Sequence, residues 1–442
     1  MLLEFSATNY KSFKDKFVFS LVPEPEQTGL GYSVMETEAG GEKYKALCSS
    51  VIYGPNASGK TNIISAMDTF KQIVLRGNIR NQNTSEEDMR VNVASAQLDL
   101  IPNNTNKKSL PTEFSIKFIE NDYHIEYMFS ADFGVFLDYE HTRKIISESL
   151  KVNQKTIFSR LESILEIEAD TIMEFKELLL NEFERNAGGA IALAKNNLSD
   201  EELFLVNGFK SMFSSKLANL ITDWLIKRYM PLCSSNTLNF VPSKISTTNG
   251  QITTYENMHD IATRFGINSN TLAYMSYTSG SEPALSSVFE LENRSAVIPA
   301  ELFESYGTIR FMNMFPLIAM TLQNGATLIV DEFDASIHPM ALMSIIGIFH
   351  NDEINKNKAQ LIFNTHNPIF LNKNLFREDE IKFVDRDDDT HISELYSLSD
   401  FDNRETSSYM ENYFIDHYGA IKDIDFAPIF EKLMANEKPV KD

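Results

Sequence analysis

One stretch decides the fold of this chain: residues 46–61 read ALCSSVIYGPNASGKT. Its first half is apolar and β-branched, which is typical of a buried strand, and its second half fits GxxxxGK[ST] at every fixed position. The segment Thr61–Arg76 follows, with its apolar residues spaced to share one helical face. A strand, a glycine-rich loop and an amphipathic helix in this order are the context that a phosphate-binding loop requires.

Each part of the loop has a physical role in binding phosphate. The glycines let backbone N–H groups point into one concavity, and the next helix directs its positive end there. Lys60 supplies a mobile charge over the β- and γ-phosphates, and the Thr61 hydroxyl can ligate Mg²⁺. We therefore predict a site for ATP and Mg²⁺ whose nucleotide-binding residues are Gly54, Pro55, Asn56, Ala57, Ser58, Gly59, Lys60, Thr61 and Asn62.

Two later strand-like segments end in side chains suited to phosphate chemistry. Residues 326–332 read ATLIVDE, so that Asp331 is predicted to hold Mg²⁺ and Glu332 to activate the attacking water. Residues 360–366 read QLIFNTH and predict that His366 senses the γ-phosphate. Taken alone, the acidic pair could be a solvated turn and the histidine structural. Together with the phosphate loop, they predict the catalytic residues Glu332, His366 and Lys60.

The order of the motifs resembles a known clade of ATPases. NYKSF at residues 9–13 precedes the phosphate loop, and ESYGT at 304–308, LIVDEFDASIHP and FNTHNP follow it. This order is similar to the ATP-binding-cassette clade shared by SMC, RecF and the overcoming-lysogenization-defect nucleases. It is most similar to the stand-alone AAA-type ATPases of abortive-infection and other anti-phage systems. The tail at residues 413–421 also resembles theirs, with His417 in place of an arginine.

The resemblance implies that ATP binds between two heads of a homodimer. Each head then presents a signature segment to the γ-phosphate on its partner, with the trans-signature residues Glu304, Ser305, Gly307 and Thr308. By itself ESYGT is a weak motif that could be a plain helix cap. The resemblance also places Lys11 and Ser12 near the nucleotide, whereas His338 has two open interpretations, structural packing and a dimer contact.

The predicted fold class is α/β, a P-loop NTPase with an ABC-type head. We expect residues 1–158 to form the N-terminal half of the head, with the phosphate loop and β-hairpins from EFSIKFI, YHIEYMFS and GVFLDYEH. Residues 159–284 are expected to be a mainly helical insertion without a long coiled coil, because no heptad pattern persists. Within it we predict helices at 164–186, 200–230 and 257–266 and a Ser/Thr/Asn-rich connector at 234–256. Residues 285–442 are expected to supply the other half, ending in a hairpin formed by IKFVDR and ISELYSL.

Composition excludes several classes of protein. The 442 residues contain 62 acidic and 40 basic side chains, a net charge of −22, which does not favour non-specific nucleic-acid binding, although local basic patches stay open. Cys48 and Cys233 are too few for a zinc site or a disulfide scaffold. The sequence shows neither a secretory signal nor an apolar run of about 18 residues, so we expect a cytoplasmic protein with no membrane contact.

The motifs and the resemblance together predict an Mg²⁺-dependent ATP hydrolase that acts as a sensor or regulator in an anti-phage system. Only 76 residues follow His366, too few for the nuclease domain of related defence enzymes, so we expect a separate effector, a nuclease or a toxin. Two alternatives stay open: an SMC- or RecF-like ATPase that repairs or clamps DNA, and an ATP-locked scaffold with little hydrolysis. The absence of LSGGQ argues against a transport subunit.

Overall fold

A computed structural model describes residues 1–27, 29–82, 92–178, 183–233, 263, 271–275, 284–292, 294–335, 337–402, 408–421 and 427–435. The strands in these ranges are β1 (Leu2–Thr8), β2 (Phe17–Ser20), β3 (Val34–Ala39), β4 (Glu42–Leu47), β5 (Ser49–Tyr53), β6 (Thr112–Glu120), β7 (Tyr123–Asp132), β8 (Lys144–Val152), β9 (Lys155–Leu161), β10 (Ile164–Ile167), β11 (Tyr229–Leu232), β12 (Thr271–Met275), β13 (Ala284–Leu291), β14 (Arg294–Pro299), β15 (Thr327–Val330), β16 (Gln360–Asn364), β17 (Ile381–Arg386) and β18 (Ser393–Ser397).

The α-helices in the same ranges are α1 (Lys60–Arg76), α2 (Val93–Ala96), α3 (Ala169–Glu174), α4 (Phe183–Asn196), α5 (Lys210–Met212), α6 (Ser215–Lys227), α7 (Tyr306–Asn324), α8 (Pro339–Phe349), α9 (Tyr409–Phe414) and α10 (Ala427–Ala435). The longest of these described helices, α7, has 19 residues, so the described chain contains no long coiled coil, as predicted. None of them is long and apolar enough to cross a membrane.

A six-stranded sheet lies at the centre, with the strand order β11-β15-β16-β5-β17-β18. The first five strands are parallel, and β18 pairs antiparallel with β17. Every residue of β5, β15 and β16 is buried, as expected for parallel strands covered on both faces. Because these strands run in the same direction, their carboxyl ends meet at one edge of the sheet.

A seven-stranded antiparallel sheet covers the helix that follows the phosphate loop. Its order is β10-β9-β8-β7-β6-β1-β2, and burial alternates along β6 as expected for a sheet with one buried face. Helix α1 packs between this sheet and the central sheet. Phe70 stacks on Phe129 at 5.9 Å, and the same core includes Ile52 and Ile362 of the central sheet. This packing fixes the N-terminal end of α1 at the sheet edge.

A second core lies on the opposite face of the central sheet. Helices α7 and α8 pack there against β15, β16 and β17 through residues such as Phe311, Leu342 and Phe363. A three-stranded sheet of β12, β13 and β14 lies beside α7, and β3 pairs with β4 in a small hairpin. The molecule is therefore a mixed α/β protein with several sheets, which confirms the predicted fold class.

Two predictions about secondary structure are wrong. The segment 134–141 is a turn and not a strand, because Gly134 and Leu137 adopt left-handed backbone angles and the Leu137 N–H binds Asp99 O. Residues 164–167 were predicted as the start of a helix, but they form β10, which pairs antiparallel with β9. The predicted connector at 234–256 lies outside the described residues, as does the helix predicted at 257–266 apart from Thr263.

The predicted insertion, residues 159–284, contributes one element to the central sheet. Strand β11 comes from this range and pairs parallel with β15, and the Asp331 N–H binds Leu232 O at 3.1 Å. The insertion therefore reaches the sheet edge at which the acidic pair lies. The boundaries of the three predicted parts remain a prediction.

Candidate nucleotide site

The loop between β5 and α1 has an unusual backbone, with positive φ angles at three of its residues. Gly54, Ala57 and Gly59 all have positive φ angles, of 151°, 62° and 115°. A Cβ atom on Gly54 would lie 2.2 Å from Val384 O of the neighbouring strand, so no other residue fits. Gly59 ends the loop as the N-cap of α1, which aims the N-terminus of this helix at the loop.

Lys60 lies at the bottom of the loop, only 6% exposed. Its Nζ donates hydrogen bonds to Gly54 O at 2.8 Å and Pro55 O at 2.9 Å, so the ammonium is held inside the loop by backbone carbonyls. Burial lowers the pKa of Lys60 to about 8, and the nearby charges of Asp331 and Glu332 oppose that shift. The side chain is therefore placed to exchange these carbonyls for phosphate oxygens.

Thr61 and Asp331 meet across the sheet edge, as a shared metal ion would require. The Thr61 hydroxyl lies 3.1 Å from Asp331 Oδ1. Two oxygens bound side by side to Mg²⁺ at about 2.1 Å in an octahedron lie about 3 Å apart, so the pair fits this ion. No cluster of three or more His, Cys, Asp or Glu side chains suited to a metal is found in the described chain. Phosphate and water would therefore supply the remaining ligands.

Burial controls the charge of the predicted metal ligand. Asp331 is 9% exposed, and desolvation raises the pKa of its carboxyl above the usual range, while hydrogen bonds from Asn364 and Thr61 oppose this shift. A divalent cation favours the ionised carboxylate, so metal binding and loss of the proton support each other.

Asn364 connects the two acidic residues, and the sequence analysis missed it. It is the last residue of β16, the strand between β15 and β5, and is 1% exposed. Its Nδ2 donates to Asp331 Oδ1, and its Oδ1 accepts the Glu332 N–H at 2.5 Å. The available signal was an amide side chain directly after the apolar residues 361–363 of a buried strand.

Glu332 and His366 both reach solvent at this edge. Glu332 is an exposed side chain on a left-handed backbone with φ 50°, and His366 is exposed two residues after the end of β16. Partial desolvation, and then the positive charge of Lys60, lower the pKa of His366 below its usual value. A neutral imidazole beside the phosphate loop can donate a hydrogen bond from one nitrogen and accept one at the other.

Lys11 and Ser12, both predicted to lie near the nucleotide, contact different parts of the molecule. Ser12 Oγ accepts a hydrogen bond from Asn62 Nδ2 at 2.7 Å, and a Cβ atom on Gly59 would lie 2.7 Å from it, so Ser12 lies against the end of the loop and the start of α1. Lys11 Nζ instead donates to Ser65 Oγ at 2.7 Å, further along α1. Ser393 of β18 donates to Ser58 O, which adds a contact to the loop that the sequence analysis missed.

Comparison with known proteins decides the family. A family model with the description 'AAA domain, putative AbiEii toxin, Type IV TA system' matches residues 49–372. The chain belongs to this AAA-domain family. The match begins at β5 and includes the phosphate loop, the acidic pair and His366. The predicted resemblance to AAA-type ATPases of the ATP-binding-cassette clade is confirmed. No curated protein gives a significant match.

Solved structures similar to this AAA-domain protein include SMC heads. An SMC head bound to the C-winged helix domain of ScpA shares 13% identity, covering 90% of this chain and 97% of that one with a TM-score of 0.37. The head from Thermotoga maritima shares 13% identity, with 90% and 98% covered and a TM-score of 0.32. The Pyrococcus furiosus head with an extended coiled coil, bound to the C-terminal domain of ScpA, shares 14%, with 94% and 98% covered and a TM-score of 0.37.

The predicted signature segment of this AAA-domain protein caps α7. Ser305 is exposed, accepts the Thr308 N–H at 3.1 Å and lies 2.9 Å from the Thr308 hydroxyl, so its hydrogen bonds lie within the first turn of the helix. Glu304 accepts a hydrogen bond from Ser287 at 3.2 Å. Gly307 lies in the same turn. His338 caps α8 through the Met340 N–H at 3.2 Å and is also exposed, so both of its interpretations remain open.

We expect the affinity for ATP to fall as the pH rises through about 8, the pKa to which burial lowers Lys60. Above that pH the free protein carries a neutral amine, whereas a bound polyphosphate stabilises the ammonium, so binding must take up a proton. Isothermal titration at a pH near 8, in two buffers of different ionisation enthalpy, measures this uptake. Binding that exchanges no proton at this pH would contradict the assignment.

Proposed function

We propose that this protein is an Mg²⁺-dependent ATP hydrolase that works as a homodimer and acts as a sensor or regulator in an anti-phage system, together with a separate effector. One observation carries the proposal: Lys60, Thr61, Asp331 and Glu332 come together at the carboxyl edge of the central sheet. The contact between Thr61 and Asp331 joins positions 270 residues apart in sequence. Such a convergence is what metal-assisted phosphoryl transfer requires.

The chemistry that follows is an in-line attack of water on the γ-phosphate. A bond forms between the water oxygen and the γ-phosphorus, the bond from that phosphorus to the β,γ-bridging oxygen breaks, and the Glu332 carboxylate accepts the water proton. Lys60 stabilises the negative charge on the transferring group. Thr61 and Asp331 would hold Mg²⁺, which would neutralise negative charge on the phosphates.

Exposed apolar side chains around the signature support a homodimer. Leu302, Phe303 and Tyr306 flank Ser305 and are 75%, 58% and 58% exposed. Contiguous exposed apolar side chains of this size are typical of interaction sites. A second head placed over Ser305 would cover them while bringing its bound ATP to the signature.

The anti-phage role rests on the resemblance of the motifs to ATPases of abortive-infection systems, and the description of the family, which includes a type IV TA system, is compatible with it. The net charge of −22 does not favour the DNA-clamping alternative. A neighbouring gene for a small nuclease or toxin would support the proposed role, whereas neighbouring repair genes would favour the alternative. Measurable ATP turnover separates both from an ATP-locked scaffold.

We expect the Lys60→Ala protein to lose ATP hydrolysis by at least about a hundredfold, equivalent to about 3 kcal/mol of transition-state stabilisation. A phosphate-release assay with purified protein measures the effect. Lys71→Ala is the matched control, since Lys71 lies on the same helix but donates to Tyr229 O at 2.7 Å, away from the loop. Hydrolysis at the wild-type rate by Lys60→Ala would refute the proposal.

A further inference from the structure

A buried arginine joins the signature helix to the backbone of Glu332. Arg310 lies five residues after Ser305 in α7 and is 2% exposed. Its Nη2 donates a hydrogen bond to Glu332 O at 2.5 Å. The same side chain therefore belongs to the helix that presents the signature and contacts the residue predicted to activate water.

Stability alone does not explain this arginine. Its Nε and Nη1 are buried and have no hydrogen-bond acceptor in the part of the chain that the structure describes. A buried cation with unsatisfied donors destabilises a fold, and an apolar side chain of similar size would cost less. Within the described residues, the side-chain hydrogen bond of Arg310 is the one to Glu332 O.

Glu332 needs support on both sides of its backbone. Its φ of 50° is a left-handed conformation that side chains other than glycine rarely adopt. Asn364 Oδ1 holds its N–H, and Arg310 holds its C=O. Since these two bonds fix the peptide groups on either side of the Cα, they also fix the direction in which the carboxylate leaves the backbone.

Helix α7 contains a proline after its first ten residues, 306–315. Pro316 lies inside the helix, and its missing N–H leaves Met312 O without its usual helical donor. The Tyr274 hydroxyl compensates, at 3.4 Å from Met312 O and 2.8 Å from Asn313 Oδ1. Ser305 caps the segment before Pro316 and Arg310 lies within it, so one continuous piece of helix joins the two side chains.

We propose that Arg310 is a positioning residue that couples the signature to the general base of its own head. When the ATP held by the partner head engages Ser305, the first part of α7 is fixed, Arg310 holds the Glu332 carbonyl, and the carboxylate is oriented for the ATP on the phosphate loop of the same chain. Each bound ATP thereby prepares the opposite site of the dimer. This inference rests on the proposed function.

The test compares Arg310→Met, which keeps volume but removes the donors, with Arg310→Lys, which keeps one donor and the charge. We expect Arg310→Met to lower kcat about 10- to 100-fold while leaving the Kd for ATP within about twofold, because it disturbs a group used mainly in the transition state. Arg310→Lys should recover part of the lost kcat. In the Glu332→Gln background, Arg310→Met should leave ATP-driven dimerisation unchanged, because Arg310 orients the base and does not contact the ATP.

Arg160→Met is the matched control. Arg160 is also 2% exposed and donates to the backbone carbonyls of Glu162, Ser199 and Glu202, far from the site in the antiparallel sheet. Its replacement should lower the unfolding temperature without lowering kcat beyond about twofold. If Arg310→Met and Arg160→Met have the same unfolding temperature and lose the same share of kcat, the positioning role is overturned. A wild-type kcat in Arg310→Met would overturn it as well.

Hydrogen exchange provides a readout that does not depend on hydrolysis. We expect amide exchange in peptides covering residues 330–335 to be at least several-fold faster in Arg310→Met than in wild type or Arg160→Met. Loss of the bond from Arg310 to Glu332 O frees the Glu332 backbone, and this weakens the bond from the Glu332 N–H to Asn364. Unchanged exchange there would overturn the inference. If wild-type protein hydrolyses no ATP, the proposed function fails, and the exchange measurement still decides the role of Arg310.

Discussion

The Glu332→Gln protein is expected to bind ATP, to hydrolyse it about 10²- to 10⁴-fold more slowly than wild type, and to accumulate as ATP-bound dimers. The amide cannot accept the proton of the attacking water. The change leaves Lys60 in the loop and Thr61 beside Asp331, so the contacts that hold nucleotide and metal persist. Size-exclusion chromatography with ATP and Mg²⁺, together with a phosphate-release assay, measures both effects.

The control for this variant is Glu353→Gln, an equal change at an exposed glutamate after α8. It should run as wild type in both assays. A Glu332→Gln protein that stays monomeric with saturating ATP would argue against engagement of two heads. Turnover at the wild-type rate would show that another group accepts the proton.

Mixing Lys60→Ala with Ser305→Arg protein is expected to restore hydrolysis that neither variant has alone. Ser305 is exposed at the start of α7, so an arginine there adds bulk and charge to the signature face without filling a core. In a mixed dimer, one composite site combines the wild-type Lys60 of one chain with the wild-type Ser305 of the other. Activity up to about half that of a wild-type dimer follows if the sites act independently.

The outcome separates a shared site from a self-contained one. If each chain hydrolyses ATP alone, Ser305 merely caps α7, and its loss costs roughly 1 kcal/mol of stability while Ser305→Arg remains active. A silent mixture in which crosslinking proves that mixed dimers formed would mean that both sites must be intact for either to turn over. That result is the stronger form of the coupling assigned to Arg310.

The phosphate loop could be predicted from sequence because its constraints are local. Gly54, Gly59, Lys60 and Thr61 act through their own backbone and the adjacent helix, so their spacing alone carries the information. Strands such as β15 and β16 were predictable for a related reason, since a parallel strand buried on both faces is a continuous apolar run.

Asn364 and Arg310 could not be predicted because their partners are distant in sequence. Asn364 meets Asp331 33 positions away only because β16 pairs directly with β15, and Arg310 reaches Glu332 22 positions away only through the packing of α7. The errors at 134–141 and 164–167 arose because the local pattern is ambiguous. In both segments a mixture of apolar and polar residues fits strand, helix and turn alike. For residues 164–167, the pairing with β9 selects the strand.

The position of β17 beside Gly54 has a consequence for biosynthesis. The wall that confines the phosphate loop comes from Val384 and Ser393, more than 300 residues after the loop itself, and β5 has β16 and β17 as its two neighbours in the sheet. A ribosome must therefore synthesise the chain through β18 before the loop acquires these contacts. Products of premature stop codons before β17 would lack this wall of the loop.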